Sequence, residues 1–163
     1  MPWMIFPALD ALRVGGIAHR FTLRHPEMNV NEERQVVVER LWSWHRQQAA
    51  EMGFDPAKLC IAEQVHGKEV AVIEDVPASP VPGTDGLITN VPGLVLGIYV
   101  ADCGAVFIVD ARTGACGLLH SGKKGSELGI TAHALQLMAE RFGSRPEDLH
   151  VQLAPCIRPP AYE

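Results

Sequence analysis

Apolar residues recur along this chain in two rhythms, and the changes from one to the other divide it into elements. A helical rhythm follows Asn29 and runs to about Met52, where Val37, Leu41, Trp44 and Gln48 fall on one stripe with Val38 and Trp42 beside it. Asn29, with Glu32 three residues on, has the form of a capping box, and Gly53 supplies the stop. A second helix is predicted with Ser126 as its cap, Leu128, Leu135, Met138 and Phe142 on one face, and Gly143 at its end.

The remaining apolar runs are short and read as strands. Residues 12–22 hold enough β-branched and apolar side chains for one, with Gly15 and Gly16 marking a bulge. Residues 59–65 and 70–74 are expected to form a hairpin that turns at His66-Gly67-Lys68-Glu69. Pro77, Pro80 and Pro82 make residues 75–83 a surface loop. Residues 86–90, 94–101, 105–111 and 115–120 then build a sheet, and residues 149–153 return as a further strand.

Composition narrows the function classes. A chain of 163 residues with 47% hydrophobic and 20% charged residues has the make-up of one folded domain, residues 1–163. A formal net charge of −5 argues against a footprint for nucleic acid or an anionic membrane surface, which leaves a small molecule as the expected partner. No apolar run reaches the roughly 18 residues of a membrane span, and the first residues lack the basic flank of a signal peptide. A cytoplasmic protein is expected. Its four cysteines form no Cys-x-x-Cys pair and read as free thiols, with Cys60 and Cys116 buried inside strand-like runs.

The chemistry concentrates between Val100 and Ser126. Cys103 and His120 each stand where an apolar run gives way to small or polar residues, the place where a strand end delivers a reactive side chain to a pocket mouth. With His66 they could supply three protein ligands to a catalytic zinc, leaving a fourth position open. Their separations of 37 and 17 residues match no local metal motif, so only the fold could bring them together, and a turn histidine such as His66 also reads simply as solvent-facing. Gly122-Lys123-Lys124-Gly125-Ser126 opens a helix and reads either as an anion site or as a solvated lysine pair; its glycine spacing is not that of a Walker loop. His19, His25 and His133 have no partners in sequence that would make them a site.

Five short segments in fixed order carry a resemblance: Glu-Gln-Val-His-Gly-Lys-Glu-Val at 63–70, Thr-Asp-Gly-Leu-Ile-Thr at 84–89, Val-Ala-Asp-Cys at 100–103, Leu-His-Ser-Gly-Lys-Lys-Gly at 119–125 and Ala-Pro-Cys-Ile at 154–157. They resemble the laccase-domain family of YfiH type, once named for multicopper polyphenol oxidases and now regarded as purine nucleoside phosphorylases. The resemblance covers residues 21–163. It implies an α+β fold, a mixed β-sheet of short strands with two main helices packed on its faces and the site at the sheet's edge. It also implies a zinc held by His66, Cys103 and His120 beside a nucleoside pocket, and phosphorolysis of purine nucleosides together with adenosine deamination. Arg40 falls on an arginine of the family's first helix, Asp85 on an acidic residue, and Lys124 on the arginine of the family's His-Ala-Gly-Trp-Arg-Gly, where it would face phosphate.

The departures are specific. Lys123-Lys124 replaces Trp-Arg, so a planar bidentate donor becomes a point charge and an aromatic wall is lost. Gly104 replaces a proline after the cysteine. Family members continue for several tens of residues beyond the position of Glu163, so the resemblance implies either a homo-oligomer, in which another subunit completes the pocket, or an open pocket. The leading reading is therefore a zinc-dependent purine nucleoside phosphorylase or adenosine deaminase. Its alternatives are a metal-free cysteine hydrolase with Cys103 as nucleophile and His120 as base, and a catalytically degenerate zinc-binding family member. A multicopper cluster is disfavoured because the chain lacks paired histidines.

Overall fold

A computed structural model describes residues 3–161 except 13–15, 26, 30, 78 and 79. In chain order its strands are β1 Trp3–Met4, β2 Phe21–Thr22, β3 Leu59–Ile61, β4 Val70–Val72, β5 Gly86–Thr89, β6 Val95–Gly97, β7 Gly104–Asp110, β8 Cys116–Ser121 and β9 Leu149–Leu153. Its helices are α1 Pro7–Asp10, α2 Arg34–Glu51, α3 Lys123–Glu127 and α4 Ile130–Phe142. Five strands make the main sheet in the order β4-β5-β8-β7-β9, parallel between β4 and β5 and antiparallel elsewhere. Two small sheets flank it: β3 runs parallel with β6, and β1 antiparallel with β2.

This is the mixed α+β architecture that the resemblance implies, and its layers follow from strand alternation. On β5, Ile88 turns to α4 and Leu87 turns to the β3–β6 sheet, so each enters a different apolar cluster. The first cluster joins Ile88, Val106, Ile108 and Leu119 of the sheet to Ile130, Ala134 and Met138 of α4, the helical positions i, i+4 and i+8. Each large side chain buried there contributes about 1.5–3 kcal/mol. The second joins Cys60, Ala62, Ile73 and Leu87. Phe6, just before α1, packs edge-on against Phe107 of β7.

Several elements differ from their sequence patterns, each for a local reason. Residues 59–65 and 70–74 do not pair with each other: β3 takes β6 and β4 takes β5 as parallel partners. The intervening chain is no hairpin turn, because Gln64 and His66 both adopt positive φ, 63° and 60°, and redirect it between sheets. Among the described residues, the strand expected over residues 12–22 survives as β2 alone; residues 13–15, and with them Gly15 of the expected bulge, lie outside the described residues. The strand expected over 94–101 ends at Gly97.

Both helix starts also move. Asn29 and Glu32 do bond each other, but ahead of the helix: Asn29 Oδ1 accepts from the Asn31 amide, and α2 begins at Arg34 after an N-cap Glu33 that makes no side-chain cap. Ser126 sits inside the short helix α3, where its hydroxyl bonds back to the Gly122 carbonyl at 2.8 Å. Gly129, at φ 77°, breaks the chain between α3 and α4. The long helix α2 buries only Gln48 and Ala49 and packs near its C-terminal end on a 3-10 turn at Pro56–Lys58. No described helix is long and apolar enough to cross a membrane.

Candidate metal centre

Three separate segments meet at one end of the main sheet. Cys103 immediately precedes β7, His120 lies near the end of β8, and His66 stands in the connection between β3 and β4. The antiparallel register of β7 on β8, with Ala105 opposite His120 and Gly104 opposite Ser121, carries Cys103 to the same end as the histidine. Their ligand atoms lie within 4.8 Å of one another, and the two imidazole rings stand edge to face with centroids 4.8 Å apart. The cluster grades from exposed His66 through half-buried Cys103 to His120, which is 4% exposed.

Asp85, fully buried just before β5, organises two of the three residues. One carboxylate oxygen lies 2.8 Å from His120 Nδ1 and accepts the His66 amide at 2.9 Å; the other accepts the amides of Gly67 at 2.6 Å and Val65 at 3.2 Å. Burial alone would push its carboxyl up. The bonds from His120, Gly67 and His66 outweigh that and hold it below the usual carboxylate range. A carboxylate only accepts, so His120 carries its proton on Nδ1 and leaves Nε2 free to ligate. The same bonds secure the left-handed backbone of His66, a conformation uncommon outside glycine.

The Cys103 thiol is pushed up by burial and by the nearby charges of Asp102 and Asp85, so by itself it is protonated at neutral pH. A cation among the three side chains would favour the thiolate. Gly122, the N-cap of α3, forms the fourth wall: a Cβ there would stand 2.9 Å from Cys103 Sγ and 3.5 Å from His66 Cδ2. Gly125 brings α3 equally close to the loop, since its Cβ would meet the Gly67 carbonyl at 2.8 Å. Lys123 and Lys124 lie exposed on this helix, next in sequence to the wall. The two glycines of the lysine-bearing segment thus serve close packing.

His66, Cys103 and His120 are brought together as their residue types suggest. Arg40 is engaged elsewhere: its guanidinium holds both Glu32 oxygens, at 3.1 and 3.0 Å, and the Asn29 carbonyl at 2.9 Å. Asp85 stood out in the sequence only through resemblance, although an acidic residue at the head of an apolar strand, flanked by Thr84 and Gly86, is itself a signal. Gln64 gave none.

The family model described as "Multi-copper polyphenol oxidoreductase laccase" matches residues 11–163. The purine nucleoside phosphorylase YlmD of Geobacillus stearothermophilus is 31% identical over 143 residues, covering 83% of this chain and 51% of that protein. A purine nucleoside phosphorylase of Deinococcus radiodurans is 31% identical over 172 residues, covering 98% of this chain and 65% of that one. The crystal structure of YlmD superposes with a TM-score of 0.70 over 83% of this chain and 52% of that chain, at 31% identity. That of Bacillus licheniformis YfiH gives 0.67 over 80% and 50%, at 28% identity. The chain spans about half the length of most of these relatives. With nearly its whole length matched and the His-Cys-His cluster assembled on the same fold, this chain belongs to the laccase-domain, YfiH-type family.

Proposed function

We propose that this chain is a cytoplasmic, zinc-dependent purine nucleoside phosphorylase that also deaminates adenosine, with nucleoside and phosphate as its small-molecule partners. One observation carries the reading: two imidazoles and a thiol from separate segments offer ligand atoms within 4.8 Å of one another. That donor set fits zinc, with three protein ligands and an open position. The names of the relatives supply the reaction class. When bound, zinc supplies a Lewis acid and lowers the pKa of a ligated water toward neutrality.

The chain's own residues do the remaining work. Asp85 keeps the His120 proton on Nδ1 and turns the ring toward the cluster. Cys103, its thiol raised by burial and by acidic neighbours, is a poor free nucleophile, which favours ligation over a metal-free hydrolase. Gly122 leaves room for the thiol and for His66. Lys124, exposed on α3, attracts phosphate as a point charge. Arg40, which the structure pairs with Glu32, is assigned to substrate on the resemblance of its helix alone.

The test is metal analysis of the purified protein beside His66→Ala and Cys103→Ala, with inosine and adenosine turnover measured with and without phosphate. Near-stoichiometric zinc is expected in the wild type and in neither variant, with phosphate-dependent base release and phosphate-independent ammonia release from adenosine disappearing together with the metal. Lys124→Ala should keep the zinc and raise KM for phosphate. Zinc without turnover would leave a metal-binding module that has lost its chemistry, and a metal-free wild type would sink the zinc mechanism.

A further inference from the structure

The three segments of the cluster are joined pairwise. The β7–β8 pairing ties Cys103 to His120, and the Asp85 carboxylate ties His120 to the His66 loop. A third joint lies between the His66 loop and the segment leading to Cys103. Gln64, two residues before His66, is 6% exposed. Its Oε1 accepts the Tyr99 amide at 2.8 Å, and its Nε2 donates to the Tyr99 carbonyl at 2.6 Å. Tyr99 stands four residues before Cys103, just past the end of β6 at Gly97.

A carboxamide offers the same donor and acceptor as a peptide group, so Gln64 supplies the pair of bonds that a neighbouring strand would make. Its own amide bonds the Thr84 carbonyl at 2.8 Å, and its φ of 63° aims the side chain across the gap. The Tyr99 ring, packed edge-on against His45 of α2 at 5.0 Å, backs the segment from the other side. We infer that Gln64 is a positioning residue that sets the separation of His66 from Cys103, closing the third side of a triangle whose other two sides are the Asp85 carboxylate and the β7–β8 pairing. This rests on the reading of His66, Cys103 and His120 as zinc ligands.

The test measures zinc affinity by chelator competition for the wild type, Gln64→Ala, Gln64→Glu, Cys103→Ala and Met138→Ala, with thermal unfolding of each metal-free protein. Gln64→Ala is expected to weaken zinc about 10–100-fold, the usual loss when a residue orienting a ligand is removed. Gln64→Glu keeps the acceptor for the Tyr99 amide but turns a second acceptor on the Tyr99 carbonyl, so it too should weaken zinc. It also carries the test if the alanine variant does not fold. Met138→Ala removes a core side chain under α4, away from the cluster, and should lower the unfolding temperature while leaving zinc affinity unchanged. Wild-type affinity in both Gln64 variants would overturn the positioning role, as would equal weakening by Met138→Ala. A wild type that binds zinc no better than Cys103→Ala would instead overturn the metal reading beneath it.

Discussion

At the scale of single residues, the acidic side chains show how the fold spends its polar groups. Asp110, fully buried at the end of β7, would be driven toward its neutral form by burial. The amides of Thr113 and Arg112, at 2.9 and 2.8 Å, with the unbonded Ser144 hydroxyl nearby, prevail and bring it down to about 2. A carboxyl lowered on folding stabilises the protein above its unfolded value of 3.8, and that contribution is lost as pH falls through the folded value. The metal-free protein should therefore lose stability between about pH 4 and pH 2, and Asp110→Asn, less stable at neutral pH, should show a flatter profile in that window. Urea unfolding midpoints across pH 2–7 check this; parallel profiles would refute it. Residue chemistry was the most legible layer of the sequence for His120, whose apolar run does stop near a strand end; the same signal marked Cys103, which instead stands just ahead of β7, well past the end of β6 at Gly97. His66 was a weak ligand candidate on residue type and became a firm one only through resemblance, since nothing in its own neighbours distinguishes it from a solvent-facing turn histidine. Gln64 was silent because its partners are the backbone groups of a residue 35 positions away.

Elements are where pattern and structure part most clearly. Of the face read for the second helix, Met138 is in the core and Leu135 and Phe142 pack beside it, whereas Leu128 is exposed ahead of α4 and the buried stripe is completed by Ile130 and Ala134. The start of that helix was misplaced because Gly129 interrupts the apolar face without altering its rhythm. Residues 59–65 and 70–74 looked like a hairpin because proximity in sequence favours one, and periodicity carries no information about parallel partners that arrive later in the chain. The short helix α3 supports the sharpest prediction at this scale. Gly122 has φ −77° and ψ 179°, which alanine adopts freely, so Gly122→Ala should fold normally. Its new methyl, 2.9 Å from Cys103 Sγ, must displace the thiol. Circular dichroism should match the wild type while zinc stoichiometry collapses; retained zinc would show that the wall yields.

For the whole molecule, stability is expected to reside in the cluster between the main sheet and α4, more than at the end that carries His66, Cys103 and His120. Met138→Ala should lower the free energy of unfolding by about 2–5 kcal/mol, measured by denaturant titration of the metal-free protein. A loss under 1 kcal/mol would mean that α4 docks loosely. The α+β class was legible through the resemblance more than through the alternation of short apolar runs with two helical stretches, and the strand order β4-β5-β8-β7-β9 was not legible, since sheet order is decided by which faces can be buried together.

Asp85 is one carboxylate shared between the ring of His120 and three amides around His66. Substitutions at position 85 consequently act on two ligands at once, whereas a change at either histidine acts on one. Loss of the acid would therefore release the His120 ring and the His66 loop together, a larger step than freeing either one alone.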